Sequence, residues 1–139
     1  MSFVVDASVA LAWHFPEEQT EFTLGCLQAV VERGALVPVH WRAEVANGMV
    51  IGARRGRITR PYRDQALKKM EVLPIDIDEE SQAQFWNGTR HIGDMYGLTI
   101  YDAAYLELAQ RARLPLATLD KALRRAAEQA GVKPFSTRA

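Results

Sequence analysis

Four acidic side chains stand where chemistry rather than solvation would place them: Asp6, Glu44, Asp102 and Asp120. Asp6 directly follows the apolar run "SFVV", and Asp120 directly follows "LPLATL". Short apolar, β-rich runs of this kind read as buried strands. In open parallel sheets, ligands bind outside the carboxyl ends of strands, where the strand order reverses. Two strand ends therefore each deliver one carboxylate. In "LTIYDAAYLELA", a turn of about 100° per residue sets Asp102 beside Tyr105, Leu106 and Ala109, the apolar side. Glu107, Gln110 and Arg111 cluster instead on the expected wet face. Glu44 lies in "HWRAEVANGMVIGA", with Gly48 and Gly52 at i+4 and i+8 from it. Glycine inside a helix costs ~1 kcal/mol relative to Ala, so two on one ridge predict another backbone packed close.

Each acid also has a local explanation. Asp6 and Asp120 fit as helix N-caps, and Thr99-x-x-Asp102 fits a capping box with Asp in place of Glu. Glu44 fits as a solvated side chain. If the four converge, capping is not enough. Two carboxylates 4 Å apart repel by roughly 4 kcal/mol at an effective dielectric near 20. Four together must then take up protons or gather around a divalent cation. An Asp/Glu-only set suits Mg2+ or Mn2+, which prefer oxygen ligands. Zinc would call for His or Cys. Cys26 is the only cysteine, and His14, His40 and His91 show no ligand spacing and read as non-catalytic. A carboxylate-held metal beside a nucleic-acid surface points to phosphodiester hydrolysis. Neither a Ser/His/Asp array nor a Gly-rich phosphate loop competes with that chemistry.

The elements that must position these acids follow from patterning. Strands are expected at 2–5, 35–39, 73–77 and 114–119, with "VKPFS" as a weak edge strand. Helices are expected at 7–13, from Pro16 to Gly34, at 40–54, at 60–72 behind Thr59 and Pro61, and from Asp78 to Tyr96 with Gly97 as stop. Two more follow, one from the opening of "LTIYDAAYLELA" and one from Asp120 to Gly131. Strands alternating with helices imply an α/β fold with a central, mainly parallel sheet of four to five strands and helices on both faces. No repeat, linker or low-complexity tract divides the 139 residues, so one domain over 1–139 is expected. Seventeen basic residues balance seventeen acidic ones, so net charge decides nothing about partners. A lone cysteine, a poor signal-peptide pattern and the lack of a ~20-residue apolar span lead to a cytoplasmic expectation, without a membrane.

Taken in order and spacing, "VVDASVALAW", "EVANGM", "LTIYDAAYLELA" and "LATLDKAL" resemble PIN-domain proteins, and most closely the VapC toxins of bacterial and archaeal toxin–antitoxin pairs. The resemblance covers nearly the whole chain. It implies that Asp6, Glu44, Asp102 and Asp120 hold Mg2+ or Mn2+ and activate water for endoribonuclease cleavage. Ser8 and Thr118 match polar positions lining such sites, and Asn47 matches one near the glutamate. It further implies homodimerisation and inhibition by a cognate small antitoxin of the VapB kind.

Residues 54–69 carry seven basic side chains against one acid, Asp64. Such a run can neutralise RNA phosphates without raising net charge. Arg54, Arg55, Arg57 and Lys121 are the RNA-binding candidates, against the plainer reading of a solvated helix face. Trp13, Phe15, Phe85 and Trp86 read as core, with a dimer or antitoxin groove as the alternative. Two other functions fit less well. A housekeeping PIN nuclease in RNA processing would share the chemistry but not the toxin role. A receiver-like signalling domain would need paired acids after strand one, where Asp6 is followed by Ala7.

Overall fold

The computed structural model describes residues 2–137. Its elements run β1 (Val4–Val5), α1 (Ala7–Ala12), α2 (Glu21–Arg33), β2 (Ala35–Pro38), α3 (Trp41–Arg54), α4 (Arg60–Glu71), β3 (Ile75–Asp78), α5 (Glu80–Gln84), α6 (Gly88–Tyr96), α7 (Ile100–Ala112), β4 (Leu116–Ala117) and α8 (Lys121–Gln129). The four strands form one parallel sheet, ordered β3-β2-β1-β4 and flanked by helices. From β1 the chain steps outward to β2 and β3, then returns to place β4 on the other side of β1. The order therefore reverses between β1 and β4, and their carboxyl ends border the crevice such sheets open to ligands. Asp6 and Asp120 emerge there.

Burial explains why two-residue strands persist. Phe3, Val4 and Val5 are fully buried, and Phe3 stacks on Phe135 with ring centroids 3.9 Å apart. The α7 helix lies against β1, β2 and β4 and buries Ala103, Ala104, Tyr105, Leu106, Leu108 and Ala109. Small residues on this face let the helix approach the sheet closely. The expected edge strand at 132–136 is reduced to a single parallel bridge between Pro134 and Leu116. Among the described residues no helix is long and apolar enough to cross a membrane.

Three expectations are corrected. The helix expected from Pro16 starts at Glu21, because Pro16–Glu18 close only a 3-10 turn and Thr20 and Thr23 cap each other reciprocally. The long helix expected from Asp78 is two helices. Gln84 Oε1 takes the Gly88 N–H at 3.1 Å and Asn87 Nδ2 donates to Ala83 O at 2.9 Å, so side chains replace the continuing helical hydrogen bonds. Asp78 itself closes β3 and pairs with Arg111 at 2.6 Å. Glu107 is not on a wet face: it is 6% exposed, and Arg111 Nε holds its carboxylate at 2.8 Å.

The glycines on α3 face the segment that follows β1. A Cβ at Gly48 would meet Leu11 and one at Gly52 would meet the Phe15 ring, each at 2.6 Å. Side chains of the segment after β1 occupy the ridge as α1 packs close on α3, which is the close approach expected there. This seats α3 on α1 and fixes Glu44 relative to Asp6. Trp13 and Phe15 are core, Phe85 is half-buried against His40, and Trp86 is 86% exposed, which corrects its expected place in the core.

Candidate active site

Asp6 leaves β1 at its buried end. Its Oδ1 caps α1 by accepting the Val9 N–H at 3.1 Å, so the expected capping role is real. The same carboxylate accepts the Ser8 hydroxyl at 2.6 Å, and its other oxygen accepts the Thr118 hydroxyl. Thr118 Oγ1 in turn accepts the Asp120 N–H at 3.0 Å, and Ser8 Oγ accepts the Leu119 N–H at 3.0 Å. These bonds lock the end of β4 to the end of β1. Burial pushes the Asp6 carboxyl up to about 6; the Ser8, Thr118 and Val9 hydrogen bonds oppose this, and the Asp102 charge adds to it.

Asp102 lies in the first turn of α7, its N–H capped by Thr99 Oγ1 at 3.2 Å. Its carboxyl is raised by burial first, then by the charges of Asp120 and Glu44, while His40 and the Thr99 bond lower it. The apolar facing expected for Asp102 is thus only partial, since its side chain is half-buried. Glu44, in the first turn of α3, accepts the Tyr105 hydroxyl at 2.5 Å and faces His40 Nε2 at 3.2 Å. Burial raises Glu44, but the bonds from His40 and Tyr105 outweigh it and hold the carboxyl below its usual value. Asp120 caps α8 through the Leu123 N–H at 2.8 Å and is exposed.

All four acids thus come from different segments into one electrostatic neighbourhood. Among the described residues no three acidic, histidine or cysteine side chains form a finished cage for an ion. The chemistry of the set still fits a hard divalent cation. Its donors are carboxylate oxygens, the charges of Asp120 and Glu44 raise Asp102 and that of Asp102 raises Asp6, and no Lys or Arg pairs with any of the four among the described residues.

The remaining candidates divide. Ser8 and Thr118 touch Asp6 directly. Asn47 is exposed on α3, one turn beyond Glu44. Arg54, Arg55 and Lys121 are exposed. Arg57 is already engaged: Glu17 and Glu18 both accept from its guanidinium, which lies 4.1 Å over the Phe15 ring, so its charge is answered within the chain. Sequence spacing missed His40 and Tyr105, which meet Glu44 from one turn earlier on the same chain stretch and from the far helix α7. Only His40, at i−4 from Glu44, left a sequence signal.

A model of the PIN domain matches residues 3–129. Ribonuclease VapC3 of Pyrobaculum aerophilum is 31% identical over 123 residues, covering 88% of this chain and 92% of that protein. Ribonuclease VapC3 of Mycobacterium tuberculosis is 32% identical over 109 residues, covering 78% and 77% respectively. The solved structure of PAE2754 from Pyrobaculum aerophilum superposes with a TM-score of 0.66 at 25% identity, over 91% of this chain and 84% of that one. FitAcB from Neisseria gonorrhoeae gives 0.62 at 17% identity over 99% and 98%, a likeness of fold alone.

Proposed function

This chain belongs to the PIN-domain family, in its VapC-type branch, and from that premise we propose that it is a Mg2+- or Mn2+-dependent endoribonuclease, the toxin of a toxin–antitoxin pair. It acts in the cytoplasm as one PIN domain over residues 1–139, as a homodimer, and a small VapB-like antitoxin restrains it. The observation that carries the reading is the coupling at Asp102, where burial and the charges of Asp120 and Glu44 disfavour an unaccompanied carboxylate. The relatives named as ribonucleases support the direction of the chemistry.

Asp6, Glu44, Asp102 and Asp120 would hold the cation. When bound, it supplies the acidity that turns water into a nucleophile and steadies the departing oxygen. The rest is the work of the chain itself. Ser8 and Thr118 fix both oxygens of Asp6, and Thr118 ties the Asp120 backbone to the same group. His40 and Tyr105 orient Glu44. Ser8, Asn47 and Thr118 line the approach, and Arg54, Arg55 and Lys121 take RNA phosphates.

Labelled total RNA incubated with purified protein tests this. Cleavage is expected with Mg2+ or Mn2+ and not in EDTA, and Asp6→Asn and Asp102→Asn should abolish it with the circular dichroism spectrum retained. Undiminished cleavage by either variant, or cleavage indifferent to EDTA, would overturn the proposal.

A further inference from the structure

A cluster of opposite sign lies at the far end of α3. Arg54, Arg60 and Arg63 line a cavity of about 190 Å³ with Val50. Asp64 accepts from Arg63 Nε at 3.0 Å, which leaves the terminal nitrogens of Arg63 outside that pair. Among the described residues, Arg54 and Arg60 have no ion-pair partner. Three like charges around one small cavity repel, as the acids do, unless an ion of opposite charge joins them.

The helix ends sharpen the point. Arg60 opens α4 and Arg63 follows within its first turns, and that first turn holds no acid. A helix N-terminus carries partial positive charge and favours Asp or Glu there. Two arginines at this place work against helix stability and add to the dipole's own pull on an anion. A local choice that conflicts with folding marks a site of function. Nearby Arg57 shows the contrast, since Glu17 and Glu18 neutralise it.

We infer that Arg54, Arg60 and Arg63 form a clamp for a backbone phosphate of the RNA strand, remote from the carboxylates. The inference rests on the nuclease reading for the identity of the polyanion. Arg54 is on the same helix as Glu44 and ten residues beyond it, about 15 Å along the axis at 1.5 Å per residue. The clamp therefore holds a phosphate other than the one being cut. Four carboxylates repel RNA, and cations set apart from them, at a spacing the helix fixes, offset that repulsion.

The test is anisotropy of a fluorescein-labelled single-stranded oligoribonucleotide, in EDTA, across a salt series. Arg54→Gln and Arg60→Gln should each weaken binding and flatten the log–log salt slope by about 0.7 for each phosphate no longer neutralised. Arg60→Glu should weaken binding further while holding or raising the melting temperature, because an acid suits the first turn of α4. Damage to folding would move both readouts downward together. Unchanged affinity and slope in these variants, or no RNA binding by the native protein, would overturn the clamp. So would weakened binding of an acidic protein partner with RNA binding intact. The nuclease reading is judged separately: binding that depends on these arginines without cleavage in Mg2+ supports the clamp and sinks the nuclease.

Discussion

The Tyr105 hydroxyl donates to Glu44 Oε1 at 2.5 Å, joining α7 to α3 across 61 residues of chain. The same oxygen faces His40 Nε2 at 3.2 Å, and His40 Nε2 also lies 2.9 Å from the Tyr101 carbonyl. Glu44 is therefore oriented before any ligand arrives, by Tyr105 directly and by a His40 ring that α7 holds in place. Burial and the Glu44 charge push the Tyr105 hydroxyl well above its ordinary value, so it stays a donor throughout the physiological range.

Tyr105→Phe keeps the buried ring and removes only that donor. Glu44 is half-buried and retains His40, so the expected loss of stability is at most about 1.5–3 kcal/mol, the range for a hydrogen bond to a charged group. RNA cleavage should fall further than this modest destabilisation explains, because Glu44 loses its fixed orientation. Chemical denaturation alongside cleavage kinetics checks both; unchanged kinetics would remove Tyr105 from the account.

The two glycines of α3 should respond differently to Ala. At Gly48 the new Cβ meets the flexible end of Leu11, whereas at Gly52 it meets the ring of Phe15, which Arg57 covers. Helix propensity favours both changes by about 1 kcal/mol. Overpacking costs about 1–3 kcal/mol where nothing can yield. Gly48→Ala should therefore be close to neutral and Gly52→Ala clearly destabilising. Thermal melts of the two variants decide it, and equal melting temperatures would contradict the packing described.

How much of this was legible in the sequence depends on whether a signal is local. The acids at strand ends, the Thr59 and Thr99 caps and the Gly97 stop follow from neighbours within four residues, and the structure has each cap in place. Glu107 reads as solvated because its partner Arg111, only four residues on, is itself drawn inward by Asp78, 33 residues from Arg111 in β3. The break after Gln84 is marked in the sequence only by Asn87-Gly88 at its far side; the side-chain hydrogen bonds that make it exist only in the folded turn. The role of Tyr105 was hidden for the same reason, since a tyrosine on an apolar face reads as core until α3 is set opposite.

Metal-free stability should depend on pH through Asp6. Its folded carboxyl sits at about 6 against an ordinary 3.8, so the fold binds the proton more tightly than the unfolded chain does. That contribution is fully present below about pH 4 and is lost as pH rises through about 6, on the order of 3 kcal/mol. Raised Asp102 acts in the same direction, and lowered Glu44 in the opposite one at more acid pH. Asp6→Asn removes the titration. The difference in melting temperature between native protein and Asp6→Asn in EDTA should shift in favour of the variant between pH 5 and pH 7. A constant difference would mean that Asp6 is not the strained group.

If the acids around Asp102 hold a divalent cation, the melting temperature must respond to Mn2+ or Mg2+. A ligand that binds only the folded state raises stability by about 2.7 kcal/mol at a hundred times its dissociation constant. The melting temperature should climb with millimolar metal in the native protein, and the climb should be much reduced in Asp102→Asn. A native melting curve indifferent to metal, or an equal climb in both proteins, would contradict it.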